Sequence, residues 1–318
     1  MEDTTIPRCR GLLWKVDEHE LAWAAGFFDG DGWAALVRDG HRGKGRPMAQ
    51  INQGGGSTGV PEVLLRFHEA VGVGRVAGPK KEEGRQDLYW WVASSRADVA
   101  RVGELVGPWL SHEKRAQFRA AIGLTVDHAP VDSFAWAAGL FDAEGSVSLS
   151  DHRTHPGYKV IESAVTQGSS RDAPEELTRF LRLVTIGYIN GPYEQEGANE
   201  LVFRWRLHRA DDIRVVMHVI DPWLGPVKRL QARHALKTVD TQPVLPRGRP
   251  DWGSHKTHCV HGHEYATARV RPYVKRSPAG VQRRDSKQCL ACLRDHARAR
   301  SAEARALNWI NGRRDAIC

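Results

Sequence analysis

Two stretches of this chain are apolar almost residue by residue, running from about Glu18 to Phe28 and from about Ser133 to Phe141. Each ends at an acidic residue followed by glycine: Asp31-Gly32 in the first and Glu144-Gly145 in the second. Their small residues, Ala22, Ala25, Gly26 and Ala135, Ala138, Gly139, recur at helical spacing. That pattern predicts two helices able to approach each other closely by their backbones. After each helix two β-like segments follow. Segments Gly32–Arg38 with Arg46–Gln53, and Ser146–Asp151 with Lys159–Gln167, read as strand pairs. A helix opening near Pro61 or Pro174 follows, because proline suits a first helical turn. A second strand pair comes next, Gly74–Ala77 with Leu88–Ala93 and Gly187–Asn190 with Leu201–Leu207. The later member of each pair is rich in aromatic and β-branched residues. One or two helices close each unit.

The order αββαββα therefore occurs twice, and the two copies keep register. Glu144 lies 113 residues after Asp31, and the same offset carries Pro61-Glu62 onto Pro174-Glu175, Arg66-Phe67 onto Arg179-Phe180, and Arg96-Ala97-Asp98 onto Arg209-Ala210-Asp211. After a slip of one residue, Pro108-Trp109-Leu110 and Lys114-Arg115 return as Pro222-Trp223-Leu224 and Lys228-Arg229. This is a duplicated domain, and two copies are too few for a solenoid. The predicted division is residues 1–128 and 129–240 for the repeats and 241–318 for a third module. Pro243, Pro246, Arg247, Gly248 and Pro250 form the linker.

Composition adds one decisive fact. With 318 residues, 41% hydrophobic and 26% charged, the chain is of ordinary globular make-up, without a stretch apolar enough to span a membrane. The segment from Met1 to Arg10 has no apolar signal core, so a cytoplasmic location is expected. The net charge of +8 is unevenly held. From Thr241 onward there are 16 Lys and Arg against 6 Asp and Glu, whereas the body before it carries 30 against 32. A basic tail on a nearly neutral body points to a polyanion such as nucleic acid.

If the two apolar helices pack together, Asp31 and Glu144 meet at their C-terminal ends. Partial negative charge of the helix dipoles adds to that of the carboxylates, and two such groups repel unless a cation lies between them. Hard oxygen ligands with access to water suit Mg²⁺. Gly32 and Gly145 are expected to end the helices in the left-handed conformation.

These residues resemble the LAGLIDADG homing endonuclease family. The signature segments are Ala24-Ala25-Gly26-Phe27-Phe28-Asp29-Gly30-Asp31-Gly32 and Ala137-Ala138-Gly139-Leu140-Phe141-Asp142-Ala143-Glu144-Gly145. The likeness continues in Ile51-Asn52-Gln53 and Val165-Thr166-Gln167, in Gly72-Val73-Gly74 and the less well matched Thr185-Ile186-Gly187, and in the terminal Pro-Trp-Leu with Lys114 or Lys228. It spans roughly Asp17 to Asp240. Gly30 departs from the alanine common in the family, and aspartate in one copy answers glutamate in the other. The resemblance implies an α+β fold of two αββαββα units about a pseudo-twofold axis. It also implies a monomeric enzyme that makes a staggered break in double-stranded DNA at a long target. Carried over position by position, Asp31 and Glu144 are catalytic metal ligands for Mg²⁺, Gln53 and Gln167 order water, and Lys114 and Lys228 stabilise charge on the phosphate. Arg115 and Arg229 stand next door and could share the lysines' role. Metal-activated water needs no nucleophilic side chain.

A four-stranded sheet in each copy would present alternate residues to the DNA. The expected contacts are Arg38, Arg42, Lys44, Arg46, Arg75, Lys80 and Arg85 in the first copy, and Arg153, Tyr158, Lys159, Asn190 and Arg204 in the second. Arginine suits guanine and asparagine suits adenine, while charges in loops reach only phosphate. The two lists differ, which predicts an asymmetric target.

In the tail, Cys259 and His263 precede Cys289 and Cys292, a spacing that can close a tetrahedral structural Zn²⁺ site. The pattern resembles zinc-ribbon-like modules appended to phage-type endonucleases. His258, His261 and His296 are alternative ligands, and Arg294, Arg298 and Arg300 suit phosphate contact. Two other functions fit the same scaffold, a DNA-binding regulator and an RNA-splicing maturase. A regulator would be expected to lose a signature acid, and this chain keeps both; a maturase would bind its parent intron RNA.

Overall fold

The small-residue helices form, and they run further than the apolar pattern alone indicates. In the computed structural model, α1 spans Glu18–Asp31 and α5 spans Phe134–Glu144, so both signature acids belong to the last helical turn. Asp17 and Ser133 cap the starts by accepting the amides of His19 (2.9 Å) and Ala135 (3.2 Å). The structure describes residues 17–243, apart from 39–44, 56–58, 82, 83, 85, 127, 154, 171 and 195–200. Beyond these it describes 263–264, 270–277, 280–289 and 291–292.

In the first repeat α1 is followed by β1 (Gly32–Arg38), β2 (Gly45–Gly54), α2 (Glu62–Val71), β3 (Arg75–Lys80), β4 (Leu88–Ala93), α3 (Arg96–Val106) and α4 (His112–Ile122). In the second, α5 leads to β5 (Gly145–Asp151), β6 (Lys159–Ser169), α6 (Glu175–Val184), β7 (Tyr188–Tyr193), β8 (Leu201–Leu207), α7 (Ala210–Ile220) and α8 (Pro226–Asp240). Each repeat builds one antiparallel four-stranded sheet, in the orders β1-β2-β4-β3 and β5-β6-β8-β7. Two helices, α3 with α4 and α7 with α8, close the units. Pro61 and Pro174 stand at the N-cap, one position ahead of the expected first helical turn.

Strand alternation gives each sheet one face toward the helices. Ala34, Ala49, Ile51 and Trp91 bury against α1 and α2, and Val147, Ile161, Val165 and Trp205 do the same in the second copy. The aromatic cores are duplicates. Phe67 meets Trp91 edge-on with ring centroids 4.8 Å apart, and Phe180 meets Trp205 at 4.8 Å. The two indoles donate to the carbonyls of Val73 (3.0 Å) and Ile186 (2.9 Å).

Gly32 and Gly145 correct one expectation. Their φ values are −87° and −78°, with ψ near +150°, which is extended backbone and not a left-handed cap. Glycine is required there for space. A Cβ on Gly32 would stand 2.5 Å from the Phe28 ring, and one on Gly145 would stand 2.4 Å from Phe141. The chain passes directly from helix to strand at these points.

The first compact unit extends to Gln242, whose side-chain amide donates to the Lys159 carbonyl at the start of β6 (3.1 Å). Residues from Pro243 onward form a second unit. Its described part is an antiparallel pair, β9 (Val270–Ser277) with β10 (Gly280–Cys289), whose register shifts between Arg284 and Lys287. Among the described residues no helix is long and apolar enough to cross a membrane.

Candidate active site at the paired helix ends

The site exists because α1 and α5 touch backbone to backbone. A Cβ on Gly26 would fall 1.9 Å from the Trp136 carbonyl oxygen, and one on Gly139 would fall 1.9 Å from that of Trp23. Near the acids, a Cβ on Gly30 would lie 2.4 Å from the Cβ of Ala143 and 3.1 Å from Cγ of Glu144. That contact explains why glycine answers the alanine of the other copy: one member of the pair must lack a side chain.

Asp31 and Glu144 thus end side by side, one from each repeat, and burial pushes both carboxyls up, Asp31 to about 6 and Glu144 to about 7. Repulsion from Asp31 adds to the rise at Glu144. The nearby cations Lys228 and Lys114 act in the opposite direction on both acids. Two partly buried, mutually repelling carboxylates offer hard oxygen donors of the kind a divalent cation neutralises.

The glutamines and lysines converge on the same place. Gln53, near the end of β2, donates its amide to Asp31. Gln167 holds the matching position on β6, but its Nε2 is buried without a hydrogen-bond partner among the described residues. Lys114, in the first turn of α4, donates to the Gly32 carbonyl (2.7 Å), and Lys228, in the first turn of α8, donates to that of Gly145 (2.6 Å). Burial lowers the Lys228 ammonium, a shift partly offset by Asp142, Asp31 and Glu144. A cavity of about 570 Å³ is lined by Lys114 and Glu113 from one repeat and by Glu144, Gln167 and Glu176 from the other. Arg115 and Arg229 turn away to grip loop carbonyls, Arg115 those of Pro108 (2.9 Å) and His128, and Arg229 those of Leu224 (2.7 Å) and Asp221.

Glu113 and Glu176 were not singled out by sequence. Their counterparts in the other copy are Val227 and Val63, so comparing the copies for charge instead of identity would have found them. Burial raises the Glu176 carboxyl. The half of the junction around Glu144 consequently carries two acids that its twin lacks. Asp29 and Asp142, the other acids of the signatures, were also left without a role, although both are buried.

The expected DNA-contacting residues divide by register. Arg46 and Arg75 share the outward parity of the first sheet with Gln50, Asn52 and Trp90. Lys80 rejoins that face after the irregularity in β3. On the second sheet Asn190 pairs with Arg204, and both lie outward with Tyr188, Tyr193 and Arg206. Arg38 and Lys159 fall on the opposite parity at strand ends, and Lys159 pairs with Asp151 (2.7 Å). Arg153 and Tyr158 sit in the connection between β5 and β6. Arg42, Lys44 and Arg85 lie outside the described residues. The outward Arg206, overlooked in the sequence, is held bidentate by Glu162 (2.7 and 2.8 Å).

In the second unit His263, Cys289 and Cys292 bring their ligand atoms within 4.8 Å of one another. Nδ1 of His263 lies 3.2 Å from the Cys292 sulfur. Cys259, the alternative histidines His258, His261 and His296, and Arg294, Arg298 and Arg300 lie outside the described residues.

No protein-family model matches this sequence, and no curated protein matches it. Solved structures do. The LAGLIDADG meganuclease I-AabMI, determined bound to uncleaved DNA, superposes with a TM-score of 0.55 at 13% identity, covering 69% of this chain and 90% of its own. The LAGLIDADG homing endonuclease I-GzeII, in complex with its DNA target, gives 0.47 at 15% identity, covering 69% and 89%. The body, with two four-stranded sheets and eight helices among the described residues, has the LAGLIDADG fold.

Proposed function

We propose that this protein is a site-specific DNA endonuclease that makes a staggered double-strand break, with Asp31 and Glu144 holding Mg²⁺ at the junction of the repeats. The observation that carries this reading is the pairing itself. Two carboxylates from opposite repeats meet at the ends of touching helices, each with a glutamine and a lysine of matching origin beside it. The solved relative I-AabMI, with the same fold, was captured on DNA. Bound between the acids, a divalent cation would supply activation of water and neutralisation of the charge that builds on the phosphate. The chain's own groups do the rest. Gln53 fixes the orientation of Asp31, and Gln167, which lines the same cavity as Glu144, carries a side-chain N–H without a hydrogen-bond partner among the described residues. Each lysine is anchored by one N–H to a backbone carbonyl and keeps two for a phosphate oxygen. Arg46, Arg75, Asn190 and Arg204 read bases from the outward sheet faces, and the unlike sets on the two sheets favour an asymmetric target. The test is selection of cleaved sites from a randomised duplex library with Mg²⁺. Recovery of one extended sequence with fixed cut positions on both strands is expected. Absence of any Mg²⁺-dependent cut would overturn the assignment.

For the tail we infer a structural Zn²⁺ held by His263, Cys289 and Cys292, with Cys259 as fourth ligand; three soft or imidazole donors converging on one point support it. Metal analysis of the full chain should find one zinc, lost on Cys289→Ser. Intact protein without zinc would dismiss the module. Its surplus of basic residues contributes affinity through phosphate, while base contacts set the site. A chain ending at Gln242 is therefore expected to cut at the same position with weaker binding and a shallower salt dependence. A shifted cut position would show that the tail takes part in recognition.

A further inference from the structure

Two buried aspartates just ahead of the acids are wired across the repeats. Asp29 accepts the Trp136 indole N–H (2.7 Å), the Ser111 amide (3.1 Å) and the Ser111 hydroxyl (2.9 Å). Asp142 accepts the Trp23 indole N–H (2.8 Å) and the Gly225 amide (2.8 Å). Each aspartate thus joins a tryptophan of the opposite repeat to the N-cap of its own repeat's closing helix. Ser111 caps α4 and Gly225 caps α8, and three residues beyond each cap stands the lysine of the site. An arginine tightens the same corner. Arg179 covers the Trp136 ring (3.8 Å) and donates to the Trp109 carbonyl (2.6 Å), two residues before Ser111. Arg66 covers Trp23 (3.9 Å) and donates to the Trp223 carbonyl (2.7 Å), two residues before Gly225. The space is cut to fit, since a Cβ on Gly225 would lie 2.9 Å from an Asp142 oxygen.

We propose that Asp29 and Asp142 are positioning residues that place Lys114 and Lys228, and that each is set by the tryptophan of the other repeat. Trp136 then governs the Lys114 corner, and Trp23 governs the Lys228 corner. Buried polar and charged groups of this kind add little net stability over apolar packing, but they fix one arrangement. Both corners are buried, Trp23 and Trp136 fully and Asp29 and Asp142 nearly so. A displaced cap moves the lysine in the first turn behind it, and misplacement by about an ångström is enough to cost a reaction on the order of a hundredfold.

The proposal rests on the endonuclease reading for its kinetic arm and not for its structural one. In the kinetic arm, full-length protein cuts a selected duplex labelled on both strands under single turnover at saturating enzyme. Trp23→Phe, which removes the indole donor, should slow the same strand that Lys228→Met slows, by about tenfold or more. The other strand should stay within about twofold, with unchanged DNA affinity. Trp136→Phe should act on the strand that Lys114→Met affects. Equal slowing of both strands by either tryptophan variant would reduce these residues to packing and overturn the proposal. The structural arm needs no DNA. Amide resonances of Gly225, Val227 and Lys228 should shift in Trp23→Phe while those of 111–114 stay in place, and the converse should hold for Trp136→Phe. Uniform shifts, or shifts at the wrong corner, also overturn it. If Trp23→Phe does not fold, Asp142→Asn, which keeps the shape but loses acceptor capacity, serves in both arms. If wild-type protein cuts no DNA, the endonuclease reading falls, and the amide result alone decides the wiring.

Discussion

Replacing Gly26 or Gly139 by alanine will destabilise the protein by about 3 kcal/mol, and leucine will do so by more. The sign is the informative part. Alanine in a helix interior is ordinarily favoured over glycine by about 1 kcal/mol. Here the added Cβ would meet a carbonyl oxygen at 1.9 Å in either helix, and that oxygen is backbone, held within its own helix. No rotamer relieves such a contact, so α1 and α5 must separate along their whole interface. That separation would pull Asp31 from Glu144 and open the indole–aspartate bonds of both corners. For a body of this size, about 3 kcal/mol lowers Tm by roughly 6–12 °C. Thermal unfolding of the two alanine variants checks it. Unchanged or raised Tm in both would mean that the helices do not touch as described.

Much of this interface could be read from the sequence, and the reason is physical. Small residues at helical spacing, duplicated at a constant offset, leave few arrangements other than helix against helix. Asp31 and Glu144 follow from that as the acids at the two helix ends, whereas the roles expected of Lys114 and Lys228 came from the resemblance to the LAGLIDADG family. What could not be read depended on pairing across the repeats. Trp23 and Trp136 look like core aromatics in a linear pattern, and their partners lie 119 and 107 residues away. The conformation of Gly32 and Gly145 was misjudged for a related reason. Glycine after a helix ordinarily signals a left-handed cap, whereas here the ring packed beneath, Phe28 or Phe141, decides the residue. Outward sheet positions were only partly legible. Strand alternation is plain at Arg46 and Arg204, but parity at strand ends such as Arg38 and Lys159 depends on register that only the pairing supplies.

Asp31→Asn and Glu144→Gln are expected to abolish double-strand cleavage, with loss on the order of a thousandfold, while DNA binding is retained. The same substitutions should make the protein more stable. Burial raises Asp31 from 3.8 to about 6, and burial with Asp31 alongside raises Glu144 from 4.5 to about 7. The folded chain therefore holds protons that the unfolded chain has already released. Stability associated with these groups is present in acid and is lost as pH rises from about 4 through about 7. Above pH 7 in chelator both carboxylates are ionised in a site that disfavours them. For Glu144 the cost approaches about 3 kcal/mol, at about 1.4 kcal/mol for each unit of displacement. Glu144→Gln removes that charge without changing shape, so in EDTA its Tm should exceed wild type at pH 8 and match it near pH 4.5. Added Mg²⁺ should then raise the Tm of wild type at pH 8 and leave Glu144→Gln nearly unmoved, since a ligand that binds only the folded state stabilises in proportion to its occupancy. Equal stability of wild type and variant across the pH range would show that the acids are not strained by their burial. Full cleavage by either variant would remove that acid from the reaction, and nicking of one strand alone would show that the two half-sites work independently.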